Sequence, residues 1–388
     1  MKKKIVILGS TGSIGKTLID ILKKEKNNIT LSLLTSNTNY KELLKQVKIF
    51  DVKNIIISDP KIFLKVKILL KSKDINVYNN FESIHKIFKK DKIDYTMSAI
   101  SGFEGLKPTL DIIKFTKLIA IANKESIICG WSLINKSIKK NKVKFIPVDS
   151  EHFSIWSLMS KSSNADIEKV FITASGGPFN NLSFKKFKLI KLREALNHPS
   201  WSMGKKISID SATMMNKVFE IIEAKKIFNF KYKQIEIIVH PQSYVHAMIK
   251  FSNGLIKILV HETNMKIPIF NSLYPNFEKK INSKKINFDI LNNLDFNKVD
   301  TKKFPVVKLI NSLPHKESLY ETVLVSANDR LVKHFLEKKI EFTDISKFLL
   351  KIIKRKEFQK YKHKAPINID QIRSLNQYVS LKIDNLCV

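Results

Sequence analysis

KIVILGSTGSIG, residues 4–15, decides the fold of the first part of this 388-residue chain. Residues 4–8 have the short apolar pattern of a buried strand, and apolar residues recur at helical spacing over residues 14–22. Three of the chain's ten glycines lie in this stretch. A strand, a glycine turn and a helix in this order present backbone N–H groups to an anion, as in dinucleotide-binding loops. The spacing is G-x-x-G-x-x-G rather than G-x-G-x-x-G, so a plain strand-to-helix turn stays an alternative.

Short apolar segments recur along the first 150 residues and predict further strands of the same sheet. Amphipathic, lysine-rich segments lie between several of them and predict helices. Strands and helices that alternate in this way imply right-handed crossovers and a parallel, doubly wound sheet. The sequence therefore predicts an α/β protein whose first domain, residues 1–150, is Rossmann-like. The further predicted strands are residues 31–34, 55–57, 95–100, 118–122 and 144–148.

After residue 150 the pattern becomes less regular and predicts two further domains joined by a linker. Short strands and one long helix indicate an α+β catalytic domain. The C-terminal part has no glycine after Gly254 and shows helical patterning, which predicts a small helical domain. The predicted elements are strands at 170–173, 235–239 and 247–251 and a helix at 211–228. The predicted domains are 151–277 and 301–388, with a linker at 278–300 that is rich in Asn and Lys.

Lysine and arginine outnumber the acidic residues by 69 to 35, and this charge of +34 first suggests a nucleic acid or an anionic membrane as partner. Only four of the 69 are arginine, the residue on which bidentate reading of guanine depends. The lysines are spread over the whole chain with abundant Ile, Asn and Phe, a composition typical of an AT-biased genome. We therefore expect no nucleic-acid partner, although a phosphorylated substrate would still be attracted.

The sequence lacks the usual signals of a membrane or secreted protein. No apolar run reaches the roughly 18–20 residues that cross a bilayer, and the apolar residues 5–8 are too short for a signal peptide. The two cysteines, Cys129 and Cys387, are too distant in sequence to indicate a disulfide framework. These features predict a cytoplasmic protein that does not contact a membrane.

The end of the second predicted strand bears on the choice of dinucleotide. A site that prefers NAD usually places an acidic residue there for the ribose hydroxyls. Residues 34–41 read LTSNTNYK, with neutral donors and Lys41 but no carboxylate. Such a segment would tolerate a 2′-phosphate, so NADP is favoured over NAD, and Asn37, Thr38 and Asn39 are the candidate contacts.

Residues 147–152, PVDSEH, place two carboxylates two positions apart. In an extended backbone Asp149 and Glu151 point to the same side, where they repel each other unless a hard divalent cation joins them. Glu220 on the predicted helix could supply a third oxygen and leave positions open for substrate, as catalytic Mg²⁺ or Mn²⁺ requires. The alternative is a surface turn with a helix N-cap. Lys124, at the end of another predicted strand, could meet a substrate oxygen or simply be solvated.

Three further stretches suggest a covered anion site. Residues 173–179, TASGGPF, end a strand in a Gly-Gly turn that suits an anion. Residues 197–204, NHPSWSMG, surround a tryptophan with turn-forming residues, as in a lid. Ser211, Asn216 and Lys217 lie near a helix start, where phosphate is favoured. Each stretch has a simpler interpretation as a turn, a core anchor or a helix cap. Three other histidines are interpreted as structural: His240, His246 and His261.

Together these stretches resemble the 1-deoxy-D-xylulose 5-phosphate reductoisomerase family. The resemblance runs through ILGSTGSIG, ANKES, PVDSEH, SGGPF, NHPSWSMGKKISIDSATMMNK, FEIIEA and HPQS, and it covers the first two-thirds of the chain densely. The C-terminal third resembles the family loosely, with Ser326-Ala327-Asn328-Asp329 where Ala-Ala-Asn-Glu is more typical. After the second strand, Asn37-Thr38-Asn39 replaces the family's usual glycine, basic or small residue, and Asn.

The resemblance implies an oxidoreductase that acts on 1-deoxy-D-xylulose 5-phosphate with NADPH and a divalent metal, Mg²⁺ or Mn²⁺ and also Co²⁺. Retro-aldol and aldol steps would rearrange the carbon skeleton, and hydride transfer would then yield 2-C-methyl-D-erythritol 4-phosphate. This reaction commits carbon to isoprenoid precursors in the non-mevalonate (MEP) pathway. Family members are homodimers, so a homodimer that uses the α+β domain for dimerisation is expected.

The same resemblance implies roles for individual residues. Cofactor contacts would come from Thr11, Gly12, Ser13, Ile14, Asn37, Thr38, Asn39, Asn123, Glu125 and Gly204. The metal would be held by Asp149, Glu151 and Glu220, which are catalytic together with Lys124. Substrate contacts would come from Lys124, Ser150, Glu151, Ser175, His198, Ser211, Asn216, Lys217 and Glu220, and the flap would contain His198, Trp201 and Met203.

Two other classes of protein stay open at this stage. Another NADP-dependent oxidoreductase, such as a semialdehyde dehydrogenase, would need a catalytic Cys with a His and would not need three carboxylates. A nucleic-acid-binding protein would use the charge of +34. Salt-dependent retention on DNA, without turnover of NADPH, would indicate that second class.

Overall fold

Seven strands in the N-terminal part of the chain form a fully parallel sheet. They are β1 Lys3–Leu8, β2 Ile29–Ser36, β3 Asn54–Ile57, β4 Asn76–Tyr78, β5 Ile93–Ser98, β6 Thr116–Ile121 and β7 Lys144–Pro147. Their order is β4-β3-β2-β1-β5-β6-β7, so the predicted doubly wound α/β fold is confirmed. The computed structural model describes residues 2–89, 92–159, 162–201 and 203–387. The three-residue β4 was missed because so short a segment shows no periodicity.

Helices connect these strands, and local capping residues mark where several of them begin. The Asp59 side chain accepts a hydrogen bond from the Ile62 N–H at 2.9 Å, with Pro60 in the first turn, where its missing N–H costs nothing. The Asn39 side chain caps the next-earlier helix in the same way. The helices are α1 Ser13–Lys23, α2 Tyr40–Phe50, α3 Pro60–Leu69, α4 Ile84–Phe88, α5 Leu106–Ile113, α6 Lys124–Asn141 and α7 Ser150–Leu158.

A second sheet of five strands follows in the middle of the chain. Its strands are β8 Ile167–Ala174, β9 Ile235–Val239, β10 Val245–Phe251, β11 Ile256–Val260 and β12 Asn297–Lys298. Their order is β11-β10-β8-β9-β12, and all pairs are antiparallel except β8 with β9. This mixed sheet agrees with the predicted α+β region, and β11 and β12 are its edges.

The remaining helices follow α7 along the chain, and one of them, α11, packs against α1. They are α8 Leu192–Leu196, α9 Lys205–Ala212, α10 Met215–Phe228, α11 Lys266–Leu273, α12 Phe288–Asn292, α13 Tyr320–Leu336, α14 Phe342–Ile352, α15 Lys356–Gln359 and α16 Ile369–Cys387. Single turns of 3-10 helix occur at Lys26–Asn28, Phe81–Ser83, Phe103–Gly105, Asn164–Asp166, Tyr232–Gln234 and Lys360–His363, and longer ones at Phe184–Leu189 and Pro305–Ser312.

The predicted single helix at residues 211–228 is wrong, because the segment is two helices. The break falls at Thr213 and Met214, and Met214 has a left-handed backbone with φ of 63°. The Thr213 hydroxyl bonds back to the Ile209 and Asp210 carbonyls, which satisfies groups at the end of α9. Helical periodicity alone continues through this break, so the sequence pattern did not reveal it.

The chain divides into two units. Unit 1 comprises Met1–Ser126, Ser132–Phe153 and Met265–Asn282, and unit 2 comprises Ile127–Trp131, Ser154–Asn264 and Ser283–Val388. The grouping of residues 265–282 with the N-terminal sheet differs from the predicted sequence ranges, which put most of them in the catalytic domain. The four-part division at 150, 277 and 300 stays a prediction.

Residues 265–282 complete the core of unit 1. Ile269 and Leu273 of α11 are fully buried in the same apolar cluster as Ile5 of β1. The hydroxyl groups of Tyr95 and Ser272 lie 2.8 Å apart within it, and this pairing satisfies two buried polar atoms. No sequence pattern indicated that residues 265–282 pack into the core of unit 1, since Tyr95 and Ser272 are 177 residues apart in the chain.

The C-terminal part of unit 2 is helical, as predicted, and α13 packs against both α14 and α16. The Arg330 guanidinium binds the Asp384 carboxylate through two nitrogens, at 2.5 and 2.7 Å, which ties α13 to α16. Among the described residues, none of the helices combines the length and the apolar character needed to span a bilayer.

Candidate active site

The glycine loop of unit 1 forms a tight turn at the N-terminus of α1. Gly9 has φ of 85°, and a Cβ there would lie 2.8 Å from the Ala99 carbonyl oxygen, so only glycine fits. The Gly12 N–H bonds to the Gly9 carbonyl at 3.2 Å, and Gly12 is the N-cap of α1. The first N–H groups of α1, from Ser13 onward, therefore begin where the loop ends, which is the geometry of an anion site.

The end of β2 holds this loop in place. The Gly9 N–H donates to the Thr35 hydroxyl at 2.7 Å, and the hydroxyls of Thr11 and Ser36 lie 2.9 Å apart. Just beyond β2, the predicted cofactor contacts Asn37, Thr38 and Asn39 are all exposed. The Asn39 side chain caps α2 by accepting from the Glu42 N–H.

The carboxylate pair of unit 1 lies at the start of a helix. The expected extended backbone at Asp149 and Glu151 is wrong: Asp149 is the N-cap of α7, its carbonyl accepts from the Phe153 N–H at 2.8 Å, and Glu151 is in the first turn. The two side chains still lie close together, since a carboxylate oxygen of each lies within 4.8 Å of the other, and the Glu151 N–H also donates to the Asp149 carboxylate at 3.3 Å. The positive end of the helix favours both charges. The helix-cap alternative and the carboxylate pair are therefore both present.

Asp149 also organises its neighbours in unit 1. Its second oxygen lies 3.1 Å from the Lys124 Nζ, and both side chains are largely buried. Its first oxygen lies 3.1 Å from Nδ1 of His152, which is fully buried. His152 is a site residue that the sequence analysis missed, although its position three residues after Asp149 on a helix was a usable signal. The Ser150 hydroxyl donates to Glu151 at 2.6 Å.

Asn123 caps the helix that carries Lys124. Its side-chain oxygen accepts from the Ser126 N–H at 2.6 Å, and its amide nitrogen donates to the carbonyls of Ile100 and Gly102. The side-chain oxygen and nitrogen of Asn123, a predicted cofactor contact, are therefore both bonded to backbone groups, and the residue is 3% exposed. Glu125, the other predicted contact on this turn, is also buried.

Ser175 and His198 form a hydrogen-bonded pair in unit 2. The His198 Nδ1 accepts from the N–H groups of Ser200 and Trp201, at 3.1 and 3.0 Å. Nε2 must then carry the proton of the neutral ring, so it donates to the Ser175 hydroxyl oxygen at 3.0 Å. Burial and the nearby charge of Lys217 lower the pKa of His198 to about 4, so the ring is neutral at pH 7.

The Ser175 hydroxyl is left oriented as a donor. Its oxygen accepts from His198 and also from the Gly177 N–H at 3.1 Å, which uses both lone pairs. Its hydrogen can then be offered to an oxygen of a ligand. A hydroxyl group that is held as a donor is suited to an anionic oxygen, such as that of a phosphate.

The break between α9 and α10 brings other predicted residues together in unit 2. A Cβ on Gly177 would lie 2.9 Å from the Ser211 carbonyl oxygen, so the Gly-Gly turn packs directly on the end of α9. In α10, the Lys217 Nζ lies 2.6 Å from the Glu220 carboxylate, and the Asn216 amide donates to the other oxygen of Glu220. Glu220 is 1% exposed. Of the three predicted acidic ligands, Glu220 lies in unit 2, and Asp149 and Glu151 lie in unit 1.

The predicted flap residues lie between α8 and α9. Trp201 packs edge-on against His246, with ring centroids 6.0 Å apart, and His246 stacks on His261 at 3.7 Å. The contact between His246 and the flap was not predicted. Met203 is partly buried, and Gly204 is the exposed N-cap of α9.

A parallel sheet with a glycine loop at its first strand, and polar residues gathered at later strand ends, defines a class: the α/β enzymes that bind dinucleotides. Three family models match successive parts of the chain. The model of 1-deoxy-D-xylulose 5-phosphate reductoisomerase matches residues 5–130, that of its C-terminal domain matches 145–228, and that of the DXP reductoisomerase C-terminal domain matches 261–380.

Similarity to known reductoisomerases extends over the whole chain. The 1-deoxy-D-xylulose 5-phosphate reductoisomerase of Pelagibacter ubique (strain HTCC1062) is 62% identical over 387 residues, which is 100% of both chains. The solved reductoisomerase from Zymomonas mobilis in complex with NADPH has 30% identity and a TM-score of 0.88, with 100% of this chain and 99% of that one covered. A DOX-P reductoisomerase in complex with NADPH, fosmidomycin and magnesium has 30% identity and a TM-score of 0.91, with 99% and 98% covered. The chain therefore belongs to the 1-deoxy-D-xylulose 5-phosphate reductoisomerase family, and it is an oxidoreductase.

Proposed function

We propose that this chain converts 1-deoxy-D-xylulose 5-phosphate to 2-C-methyl-D-erythritol 4-phosphate, with NADPH and a divalent metal ion, in the non-mevalonate route to isoprenoid precursors. The observation that carries the proposal is the 62% identity, over the full length of both chains, to a relative with this reductoisomerase name. Solved relatives that hold NADPH, and in one case also magnesium and fosmidomycin, support the choice of cofactors.

The glycine loop supports binding of NADPH through its pyrophosphate. The backbone N–H groups of Thr11, Ser13 and Ile14, at the N-terminus of α1, would receive the negative charge, and Gly12 would let the pyrophosphate approach the backbone closely. No carboxylate stands in the exposed segment of residues 37–39 after β2, so a 2′-phosphate would not be repelled there. The remaining proposed cofactor contacts are Asn37, Thr38, Asn39, Asn123, Glu125 and Gly204.

We propose Asp149, Glu151 and Glu220 as the ligands of the metal ion, which would be Mg²⁺ or Mn²⁺, with Co²⁺ as a substitute. Carboxylate oxygens are the hard donors that these ions prefer. The buried Glu220 is held by hydrogen bonds from Asn216 and Lys217, so its orientation is set by the protein. When bound, the ion would act as a Lewis acid on adjacent carbonyl and hydroxyl oxygens of the substrate.

The side chains of unit 2 would anchor the substrate by its phosphate. Ser175 would donate its hydroxyl hydrogen to a phosphate oxygen, since its own lone pairs are used by His198 and Gly177. Ser211 and Asn216 would add neutral donors, and Lys217 would add positive charge. Binding free energy from this remote group would hold the reacting carbons in place during the rearrangement.

Lys124 and Ser150 would act nearer the reacting oxygens. The Lys124 ammonium is oriented by Asp149 at 3.1 Å, so it can donate to a substrate oxygen without first being ordered. Ser150 is oriented by its bond to Glu151. The flap, with Trp201 and Met203, would cover the substrate and exclude water from it.

An assay of NADPH oxidation tests this function directly. We expect the purified protein to oxidise NADPH only when deoxyxylulose phosphate and Mg²⁺ or Mn²⁺ are both supplied. A chelator should abolish the activity, and excess Mg²⁺ should restore it. Turnover that is indifferent to the chelator, or that occurs without the sugar phosphate, would contradict the proposal.

Changes to the proposed metal ligands extend the same assay. Asp149→Asn and Glu220→Gln each remove a charged oxygen ligand, so we expect kcat to fall about 100-fold or more. Glu168→Gln is the matched control, because this glutamate is exposed on β8 and pairs with Lys250 at 2.7 Å. Near-normal rates in the two ligand variants would exclude the proposed metal site.

We also propose that the protein is a cytoplasmic homodimer. The exposed edge strand β11 supports the dimer, since Ile256, Ile258 and Val260 are all exposed on it and point to one face. The distant pair Cys129 and Cys387, with no sequence pattern of disulfides, supports a reducing compartment.

A further inference from the structure

Asp210 is a buried carboxylate that lies directly before Ser211 in the last turn of α9. It is 1% exposed, and a buried charge is costly unless it is paired and hydrogen-bonded. Neither the dinucleotide loop nor the acidic ligand set accounts for it. Its role has to be found in the groups that contact it.

Side chains from α9 and α13 contact the Asp210 carboxylate. The Asn328 amide of α13 donates to one carboxylate oxygen at 2.7 Å, and the Lys206 Nζ lies 3.3 Å from the other. Lys206 comes from the same helix, one turn earlier, and also pairs with Asp329 at 2.9 Å. The bond from Asn328 therefore ties the last turn of α9 to α13 across 118 residues of sequence, and the pair of Lys206 with Asp329 joins the same two helices one turn earlier.

A contribution to the stability of the fold does not by itself account for Asn328. It is 0% exposed, and its side-chain oxygen has no hydrogen-bond partner among the residues that the structure describes. Burying an amide with one unpaired end costs free energy that an apolar residue of similar size would avoid. The asparagine contributes chiefly through its Nδ2, which points at Asp210.

The last turn of α9 sets the position of the residues that follow it. The Met214 N–H bonds to the Ser211 carbonyl at 3.1 Å, and the Lys217 N–H bonds to the Met214 carbonyl at 3.2 Å. A rotation of the α9 end would therefore move Ser211 and also the start of α10, with Asn216 and Lys217. Gly177 packs against the Ser211 carbonyl from the other side.

We propose that Asn328 is a positioning residue for the phosphate-binding group of unit 2: by holding the Asp210 carboxylate it fixes the end of α9, and with it Ser211, Asn216 and Lys217. This assignment rests on the proposed function for the identity of the ligand. The hydrogen bond itself, and its effect on the segment from Lys205 to Lys217, do not depend on that function.

Three variants test the positioning role. Asn328→Asp places a carboxylate against Asp210 and turns the hydrogen bond into a repulsion, whereas Asn328→Ala only removes the donor. The double variant Asp210→Asn with Asn328→Asp restores the bond with donor and acceptor exchanged. Asn385→Asp on α16 is the matched control, since it makes the same chemical change at an exposed site.

Hydrogen exchange of the backbone N–H groups in residues 205–217 is the first measurement, and it needs no activity. We expect faster exchange in Asn328→Asp, a smaller increase in Asn328→Ala, and exchange close to that of the unchanged protein in the double variant and in Asn385→Asp. Exchange that is unaltered in both single variants, or not restored by the double variant, overturns the proposal.

Steady-state kinetics are the second measurement. We expect KM for deoxyxylulose phosphate to rise about tenfold in Asn328→Asp, with a smaller fall in kcat and a change of less than about twofold in KM for NADPH, because the displaced side chains contact the phosphate and not the cofactor. The double variant should bring KM back to within about threefold. Equal losses in kcat and in both KM values would indicate general destabilisation and overturn the positioning role. Absence of turnover in the unchanged protein would instead refute the proposed function, and hydrogen exchange would still decide this inference.

Discussion

Burial keeps several histidines of unit 2 neutral, and this has a consequence for stability in acid. Burial lowers the pKa of His261 to about 4, against an ordinary value of 6.5, and the pKa of the stacked His246 is also lowered by burial. Between pH 6.5 and 4 the unfolded chain binds a proton at His261 that the folded chain does not bind. The free energy of unfolding must therefore fall as the pH is lowered through this range.

Replacing His261 should reduce this pH dependence. One such group contributes a slope of up to about 1.4 kcal/mol per pH unit, so His261→Asn should flatten the profile by roughly that amount. The measurement is urea unfolding at a series of pH values between about 7.5 and about 4.5. His363→Asn, at an exposed position, is the control and should leave the slope unchanged. Identical slopes in all three proteins would show that His261 is not held neutral.

At the scale of elements, the junction between the Gly-Gly turn and α9 decides the shape of the anion site. Gly177 has φ of 66°, and a Cβ there would lie 2.9 Å from the Ser211 carbonyl oxygen. A side chain at this position would therefore strain its own backbone and also push on the end of α9. Backbone is the opposing surface, so the contact cannot be relieved by a change of rotamer.

Gly177→Ala should separate these two effects when it is compared with Gly254→Ala. Gly254 also has positive φ, 86°, but a Cβ there would meet no atom within 4 Å. We expect Gly254→Ala to cost about 1 kcal/mol from backbone strain alone. Gly177→Ala should cost about 1–3 kcal/mol more and should raise KM for the sugar phosphate. Thermal unfolding and steady-state kinetics measure the two quantities, and equal effects of the two substitutions would contradict the close packing at Ser211.

The two-helix structure of α9 and α10 also shows what patterning reveals at this scale. Apolar spacing predicted helical structure over residues 211–228, and most of that range is helical. The break at Met214 depends on Thr213 bonding back to α9 and on the packing of Gly177, which the periodicity of one segment does not record. The position of Ser211 relative to Lys217 therefore could not be derived from the pattern.

At the scale of the whole molecule, the edge strand β11 should determine the oligomeric state. Its residues Ile256, Ile258 and Val260 are 60, 47 and 39% exposed, and alternate residues on one strand share a face. A lysine on this face would have to be buried unpaired in an interface between two copies. Such a charge is among the most unfavourable changes that an interface can receive.

Ile258→Lys should therefore convert a dimer to a monomer. The measurement is sedimentation velocity over a range of protein concentrations, with the unchanged protein expected to sediment as a dimer. Ile68→Lys on α3 is the matched control, since Ile68 is 75% exposed and belongs to unit 1, whereas β11 belongs to unit 2. A dimer that persists in Ile258→Lys, or that is lost equally in Ile68→Lys, would rule out β11 as the interface.

The sequence by itself determined the parallel sheet, the glycine loop and the identity of the chemically important side chains. Strands and helices can be predicted from apolar periodicity, which is a property of each local segment. Gly9 could be recognised because its turn requires a positive φ, which glycine adopts without strain. The acidic pair at residues 149 and 151 could also be recognised locally, because the two residues are close in sequence. The backbone there begins a helix, whereas an extended backbone was expected.

Only the tertiary structure decided how distant segments meet. It brought residues 265–282 into the core of unit 1, placed His152 against Asp149 inside a buried helix turn, and joined Asn328 to Asp210. These contacts depend on how whole elements pack, and packing is the sum of many weak apolar contacts between segments far apart in the chain. No local pattern encodes such a sum, and so the positioning of the site residues appears only in the folded protein.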